Sequence, residues 1–183
     1  LVAASNVDQL IKDALEFKPR CVAITDERKL DDLRQGLGST GIEIFGGVSG
    51  VLEACSVPSD TCVSAITGFA GLEPTLKAIG STKRLALANK ESLVCAGQLV
   101  IELAERLGVE VIPVDSEHSA IFQCLHKQPR KQLSKIVLTA SGGPFRTWPE
   151  PKIQQATRVD ALAHPNWDMG AKITVDSASL MNK

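Results

Sequence analysis

Tyrosine is absent, aromatic residues make up 4% of the chain, and 20 Lys and Arg stand against 21 Asp and Glu, leaving a net charge of −1. With near-zero charge and no block of one sign, the chain lacks the electrostatic footprint that phosphate-backbone binding needs, which excludes a dedicated nucleic-acid binder. Small or locally held anions remain open as ligands. No apolar run approaches the roughly 20 residues that a membrane-spanning helix requires, and no charged n-region with an apolar h-region opens the sequence. This is a cytosol-like chain with no membrane partner. The 5 cysteines, at 21, 55, 62, 95 and 124, are odd in number and form no C-x-x-C pair, which disfavours structural zinc and a disulfide framework. They read as small buried thiols in a reducing compartment. The 183 residues, 44% hydrophobic, suffice for one solid core and part of a second. The chain starts at Leu1 on what reads as the tail of a strand and stops at Met181-Asn182-Lys183 early in a helix, so we expect a segment of a longer protein.

What is present is an alternation. Short β-branched runs at Cys21-Val22-Ala23-Ile24-Thr25, Ile42-Glu43-Ile44-Phe45, Cys62-Val63-Ser64-Ala65-Ile66, Leu85-Ala86-Leu87-Ala88 and Val109-Glu110-Val111-Ile112-Pro113-Val114 alternate with amphipathic segments, the signature of βαβ units and a parallel sheet. Val7, Leu10, Ile11, Ala14 and Leu15 recur at helical spacing after Asn6, a good N-cap. Leu93 through Leu107 do so before Gly108, a helix stop. After Val114, a helix-like 121–125 leads into a polar loop at 126–132, and a further strand is expected at Lys135-Ile136-Val137-Leu138-Thr139-Ala140. A domain boundary is therefore expected near Val114.

In an open parallel sheet, ligands bind at the carboxyl ends of strands, where the following helices present free N–H groups. Ile66-Thr67-Gly68-Phe69-Ala70-Gly71 lies at such an end; its glycines suit either a dinucleotide approach or a plain turn. Asn89-Lys90-Glu91-Ser92 follows the next strand, with Asn89 a natural N-cap. Asp115-Ser116-Glu117-His118 ends the most apolar strand with two carboxylates two residues apart, a spacing that on a strand directs both to one side. Such a pair suits Mg²⁺ or Mn²⁺, or equally an acidic helix start. Ser141-Gly142-Gly143 offers either an anion nest or a β-turn. His164-Pro165-Asn166-Trp167-Asp168-Met169-Gly170 holds one of 3 His and one of 2 Trp in a loop-like setting.

In order along the chain, Leu87-Ala88-Asn89-Lys90-Glu91-Ser92, Pro113-Val114-Asp115-Ser116-Glu117-His118-Ser119-Ala120-Ile121-Phe122-Gln123, Leu138-Thr139-Ala140-Ser141-Gly142-Gly143-Pro144-Phe145-Arg146 and the stretch from His164 to Gly170 and on to Lys183 closely resemble the 1-deoxy-D-xylulose 5-phosphate reductoisomerase family. The resemblance implies an α/β fold: a Rossmann-like parallel sheet lacking its first strand, over 1–114, followed by the beginning of an α+β catalytic domain, over 115–183. It implies an NADPH-dependent, Mn²⁺- or Mg²⁺-dependent isomerisation and reduction of 1-deoxy-D-xylulose 5-phosphate to 2-C-methyl-D-erythritol 4-phosphate in non-mevalonate isoprenoid biosynthesis. A homodimer at full length is implied too, in a bacterial cytoplasm or a plastid stroma.

By the same resemblance Asp115 and Glu117 are metal ligands, and Lys90, Asp115, Glu117 and His164 carry the chemistry. Lys90, Ser116, Glu117, Ser141, His164, Trp167, Ser177, Asn182 and Lys183 touch the phosphosugar. Ala4, Ser5, Asn6, Asn89, Glu91, Met169 and Gly170 lie at the cofactor, with Trp167 and Met169 on a flap that excludes water from a reactive aldehyde. The chain departs from the family where Ala4 and Ser5 replace a usual Gly and a common basic residue. The glycine-rich pyrophosphate turn and a third acidic metal ligand fall outside the sequence, so the segment alone is expected to be inactive. Two other readings compete: a different Rossmann-type nicotinamide-dependent dehydrogenase, with no use for the acidic pair, and a non-catalytic partial folding unit.

Overall fold

The computed structural model describes residues 1–126 and 128–181. Its contacts divide the chain into two compact units, Leu1–Ile112 and Pro113–Lys183.

The first unit holds two three-stranded sheets. β1 (Val2–Ala3), β2 (Cys21–Ile24) and β3 (Glu43–Gly46) lie in that order and run parallel, with Val22 opposite Ile44 and Ala23 opposite Phe45. As the central strand, β2 is buried at every residue, which explains its uninterrupted apolar run. α1 (Val7–Phe17) begins where Asn6 accepts the Gln9 N–H at 3.2 Å, and packs Val7, Leu10 and Ala14 with Val22, Ile24 and the α2 (Leu30–Leu37) residues Leu33 and Leu37. α3 (Gly47–Cys55) leads to the second sheet, β4 (Ser59–Ser64), β5 (Thr82–Leu87) and β6 (Glu110–Pro113) in that order, with β4 parallel to β5. Its core joins Ala78 and Ile79 of α4 (Leu72–Ile79), Leu85 and Leu87 of β5, Val100 and Ala104 of α5 (Lys90–Leu107), and Val109. α5 closes at Gly108, whose φ of 68° lets its N–H reach back to the last turn, and is kinked at Ala96. The α/β architecture with parallel strands is therefore as expected, but the sheet is realised as two, and β4 ends two residues before the expected Ile66.

The second unit is helical where regular: α6 (Ser116–Leu125), α7 (Glu150–Ile153), α8 (Arg158–Leu162) and α9 (Ala171–Ser179), with α8 packed on α9. The strand expected at 135–140 is not one. Its β-branched run has the local propensity, but a strand exists only through a ladder, and among the described residues this segment pairs with nothing; Val137 is 67% exposed. Of the cysteines, Cys21 is buried; Cys55 and Cys62 are half-buried, and burial is the main cause that pushes the thiols of these two up in pKa; Cys95 and Cys124 are exposed, contrary to expectation. Among the described residues no helix is long and apolar enough to cross a membrane.

Candidate functional site

In the first unit, the expected cofactor residues fall at the carboxyl ends of strands. Ala4, Ser5 and Asn6 form the exposed turn between β1 and α1. The Ala4 carbonyl accepts the Asp26 N–H at 2.8 Å, and Asn6 Oδ1 caps α1, so the Asn6 NH₂ is the group left to donate to a ligand.

Asn89, Lys90 and Glu91 open α5 beyond β5. Asn89 is 2% exposed: its Oδ1 accepts the Ser92 N–H at 2.9 Å, while its NH₂ donates to the carbonyls of Ile66 (2.6 Å) and Gly68 (2.9 Å) and to Glu91 Oε2 (3.1 Å). Its side chain is a structural hub, which confirms the capping role read from the sequence. Glu91 Oε1 accepts the Gly68 N–H at 3.2 Å, and Lys90 is half-buried at the first helical position. The two turn glycines differ in purpose. Gly68 has a φ of 76° with open space where a Cβ would be, whereas at Gly71 a Cβ would stand 2.6 Å from Ile66 O and 2.8 Å from Asn89 Nδ2. Gly68 suits a ligand's approach; Gly71 serves internal packing.

In the second unit, β6 has ended at Pro113, and Asp115 is the N-cap position of α6. The strand-spacing argument for Asp115 and Glu117 therefore fails, because both belong to a helix start. The buried Asp115 Oδ1 lies 3.4 Å from His118 Nδ1, and the exposed Ser116 donates to Glu117 Oε2 at 2.8 Å. Two hard carboxylates at a helix start fit part of a divalent-cation ligand set. Among the described residues no group of three candidate ligands assembles around them.

Ser141, His164 and Ser177 do come together, from three separate segments. Ser141 Oγ lies 3.1 Å from Ser177 Oγ and 3.4 Å from His164 Nε2. His164 Nδ1 accepts the backbone N–H groups of Asn166 (3.2 Å) and Trp167 (3.1 Å), so in the neutral ring Nε2 carries the proton and donates. The approach is made possible by Gly143, whose φ is 60° and where a Cβ would stand 2.6 Å from Ser177 O. The cluster thus presents two hydroxyls and one imidazole N–H, a neutral donor set suited to an anion. Trp167, 60% exposed, stacks on the His164 ring at 5.2 Å and 6°. Met169 and Gly170 precede α9, and their carbonyls accept the Thr174 hydroxyl at 3.2 and 3.1 Å. Asn182 and Lys183 lie outside the described residues. Sequence reading gives no role to Ser64, Thr75 and Ser92, the buried hydroxyls near Asn89; the signal for Thr75 is a hydroxyl on an otherwise apolar helix face, between Leu72 and Ile79.

Residues 1–97 match the family model for 1-deoxy-D-xylulose 5-phosphate reductoisomerase, and residues 111–183 match the model for that enzyme's C-terminal domain. The chain is 52% identical to the reductoisomerase of Caulobacter vibrioides over 183 residues, covering 100% of this chain and 46% of the relative. It is likewise 52% identical to that of Desulfitobacterium hafniense over 185 residues, covering 100% and 48%. It spans about half the length of these curated relatives. Among solved structures, the Zymomonas mobilis reductoisomerase in complex with NADPH aligns with a TM-score of 0.90 at 41% identity, covering 100% of this chain and 47% of that one. A reductoisomerase in complex with NADPH, fosmidomycin and magnesium aligns at 0.85 and 41% identity, covering 100% and 48%. With both models matched in chain order and every residue covered by these relatives, the chain belongs to the 1-deoxy-D-xylulose 5-phosphate reductoisomerase family.

Proposed function

We propose that this chain supplies part of the NADPH-binding domain and the start of the catalytic domain of an enzyme that isomerises and reduces 1-deoxy-D-xylulose 5-phosphate to 2-C-methyl-D-erythritol 4-phosphate. The observation that carries the reading is the donor cluster of Ser141, His164 and Ser177, assembled from distant segments in a chain whose 41%-identical relative is held with NADPH, fosmidomycin and magnesium.

On this reading the cluster grips the substrate phosphate: Ser141 and Ser177 turn their hydroxyl protons toward it, and His164 donates from Nε2. Asn182 and Lys183 complete the grip, the lysine bringing the positive charge that the neutral trio lacks. Trp167, stacked on His164, closes over the substrate and excludes water. Asp115 and Glu117 hold the divalent cation, which when bound supplies charge to stabilise enolate and alkoxide oxygens. Ser116 and Glu117 orient the substrate hydroxyls, and Lys90 offsets oxyanion charge. The cofactor supplies the hydride, with Ala4, Ser5 and Asn6 at its ribose end and Glu91, Met169 and Gly170 along it; Asn89 acts there through the turn it holds. By family resemblance the complete enzyme is a homodimer, in a bacterial cytoplasm or a plastid stroma.

The test is a hybrid enzyme in which this chain replaces the matching 183 residues of the Caulobacter vibrioides relative. NADPH oxidation should depend on 1-deoxy-D-xylulose 5-phosphate and on Mn²⁺ or Mg²⁺, at about 1 to 10³ per second, while the 183-residue chain alone should show none. Asp115→Asn and Glu117→Gln in the hybrid should each remove most activity and shift the metal requirement upward. A hybrid that folds and binds metal but oxidises no NADPH with this substrate overturns the reading.

A further inference from the structure

The end of β4, the start of α4 and the start of α5 meet around four buried polar side chains: Ser64 (8% exposed), Thr75 (1%), Asn89 (2%) and Ser92 (0%). Their protons can be followed. The Thr75 hydroxyl donates to Gly71 O at 2.6 Å, so the 2.6 Å contact between Ser64 Oγ and Thr75 Oγ1 uses the Ser64 proton. The Ser92 hydroxyl gives its one proton to Asn89 Oδ1; its oxygen lies 3.5 Å from Thr75 Oγ1 with no proton between them, so α4 and α5 touch there without a hydrogen bond. With its Oδ1 fixed from one side by Ser92, Asn89 directs its NH₂ at the carbonyls of Ile66 and Gly68. Together with Glu91 Oε1 on the Gly68 N–H, these bonds fix four backbone groups of the 66–71 turn: the carbonyls of 66, 68 and 71 and the amide of 68.

Buried polar bonds of this kind, one set centred on Thr75 and one on Asn89, are stiff in a low-dielectric interior, and the Thr75 hydroxyl does not add the apolar area that Val at position 75 would bury in the same shape. What it supplies is direction. We infer that Thr75 and Ser92 are positioning residues: through Gly71 and Asn89 they set the 66–71 turn against the first turn of α5, so that the turn and Lys90 keep one fixed geometry. What those positioned groups touch, cofactor and substrate, rests on the function proposed above; the positioning itself is a property of the fold.

The hybrid enzyme tests this with three variants. Thr75→Val keeps the shape and removes the hydroxyl, Thr75→Ser restores the hydroxyl, and Ser92→Ala cuts the other link. Thr75→Val and Ser92→Ala should each raise the KM for NADPH about tenfold while kcat changes less, since a displaced turn loosens what it holds. Hydrogen exchange at the Gly68 amide should speed up by about as much, because its acceptor is set by the same network. Thr75→Ser should return both readouts to within about twofold of the parent. A lowered melting point with unchanged KM and unchanged Gly68 exchange in both disruptive variants would show that the hydroxyls only support the core, and would overturn the inference. If Thr75→Val does not fold, Ser92→Ala decides. If the unmodified hybrid oxidises no NADPH, the proposed function fails, and Gly68 exchange alone decides the positioning.

Discussion

The two units are built on different physics. Every buried apolar side chain described lies in Leu1–Ile112, whereas among the described residues of the second unit the buried side chains are the hydroxyls of Thr174 and Ser177. Apolar burial stabilises at about 25 cal/mol per Å² with no demand on direction. A hydrogen bond nets only about 1 kcal/mol, and only in the right geometry. The first unit is therefore a frame that tolerates adjustment. The second is an arrangement of turns and donors whose shape is its chemistry: Ser141 and His164 come from loops and Ser177 from a helix, and among the described residues of the unit no buried apolar side chain fixes their spacing.

The largest effect should come from emptying the frame. Ile24, fully buried between α1 and α2, should cost about 2 to 5 kcal/mol when changed to Ala. Val137→Ala in the exposed 133–140 segment should cost no more than about 0.5 kcal/mol. Chemical denaturation of the two variants checks the pair. Equal costs would break the comparison, because they would mean that the second unit holds apolar burial of its own.

Gly143→Ala sharpens it from the other side. The residue sits at a φ of 60°, and a Cβ would press on Ser177 O and Ala178 Cα at 2.6 and 2.9 Å. The left-handed backbone alone costs a non-glycine residue about 1 to 2 kcal/mol, and the contact forces the turn off α9. We expect the His164 ring resonances to shift as the Ser141 and Ser177 hydroxyls separate, with the resonances of β2 unchanged. Loss of the β2 resonances as well would break the comparison, because the effect would then not be confined to the second unit.

The difference between the units also governs what the sequence reveals. β2 is legible because a central parallel strand must be apolar throughout, and α1 because Asn6, Val7, Leu10 and Ala14 spell a cap and a face. The segment at 135–140 reads the same way and is not a strand, since propensity is local and a ladder needs a partner. α2 and α3 are not legible, because short helices of 8 or 9 residues carry few turns of periodicity. At the site, motif resemblance picked out Ser141, His164 and Ser177, and the structure brings them together. No pattern disclosed that the Asn89 amide reaches the 66–71 turn, that the Ser92 hydroxyl holds it, or that Thr75 holds the Gly71 carbonyl, because a buried hydroxyl in a helix looks like any other until its partner is known.

The smallest expected effect concerns a single cap in the second unit. Asp160 closes a capping box at the start of α8, accepting the Thr157 hydroxyl at 2.5 Å and the Thr157 N–H at 2.9 Å. The Thr157 hydroxyl is the main reason its carboxyl titrates below the usual 3.8, with the backbone bond second and partial desolvation opposing both. Because the folded pKa lies below the unfolded one, the stabilisation is fully present above the unfolded value and disappears as pH falls through the folded value. The window is therefore acidic, and the cap is intact at neutral pH. Thr157→Val removes the hydroxyl but keeps the backbone N–H, so the Asp160 pKa should move part of the way back toward 3.8 and no further. Carboxyl NMR across the acid range measures it. An Asp160 that titrates identically in both forms would mean that the side-chain half of the box contributes nothing, and that even the directional bonds of the second unit are looser than its geometry implies.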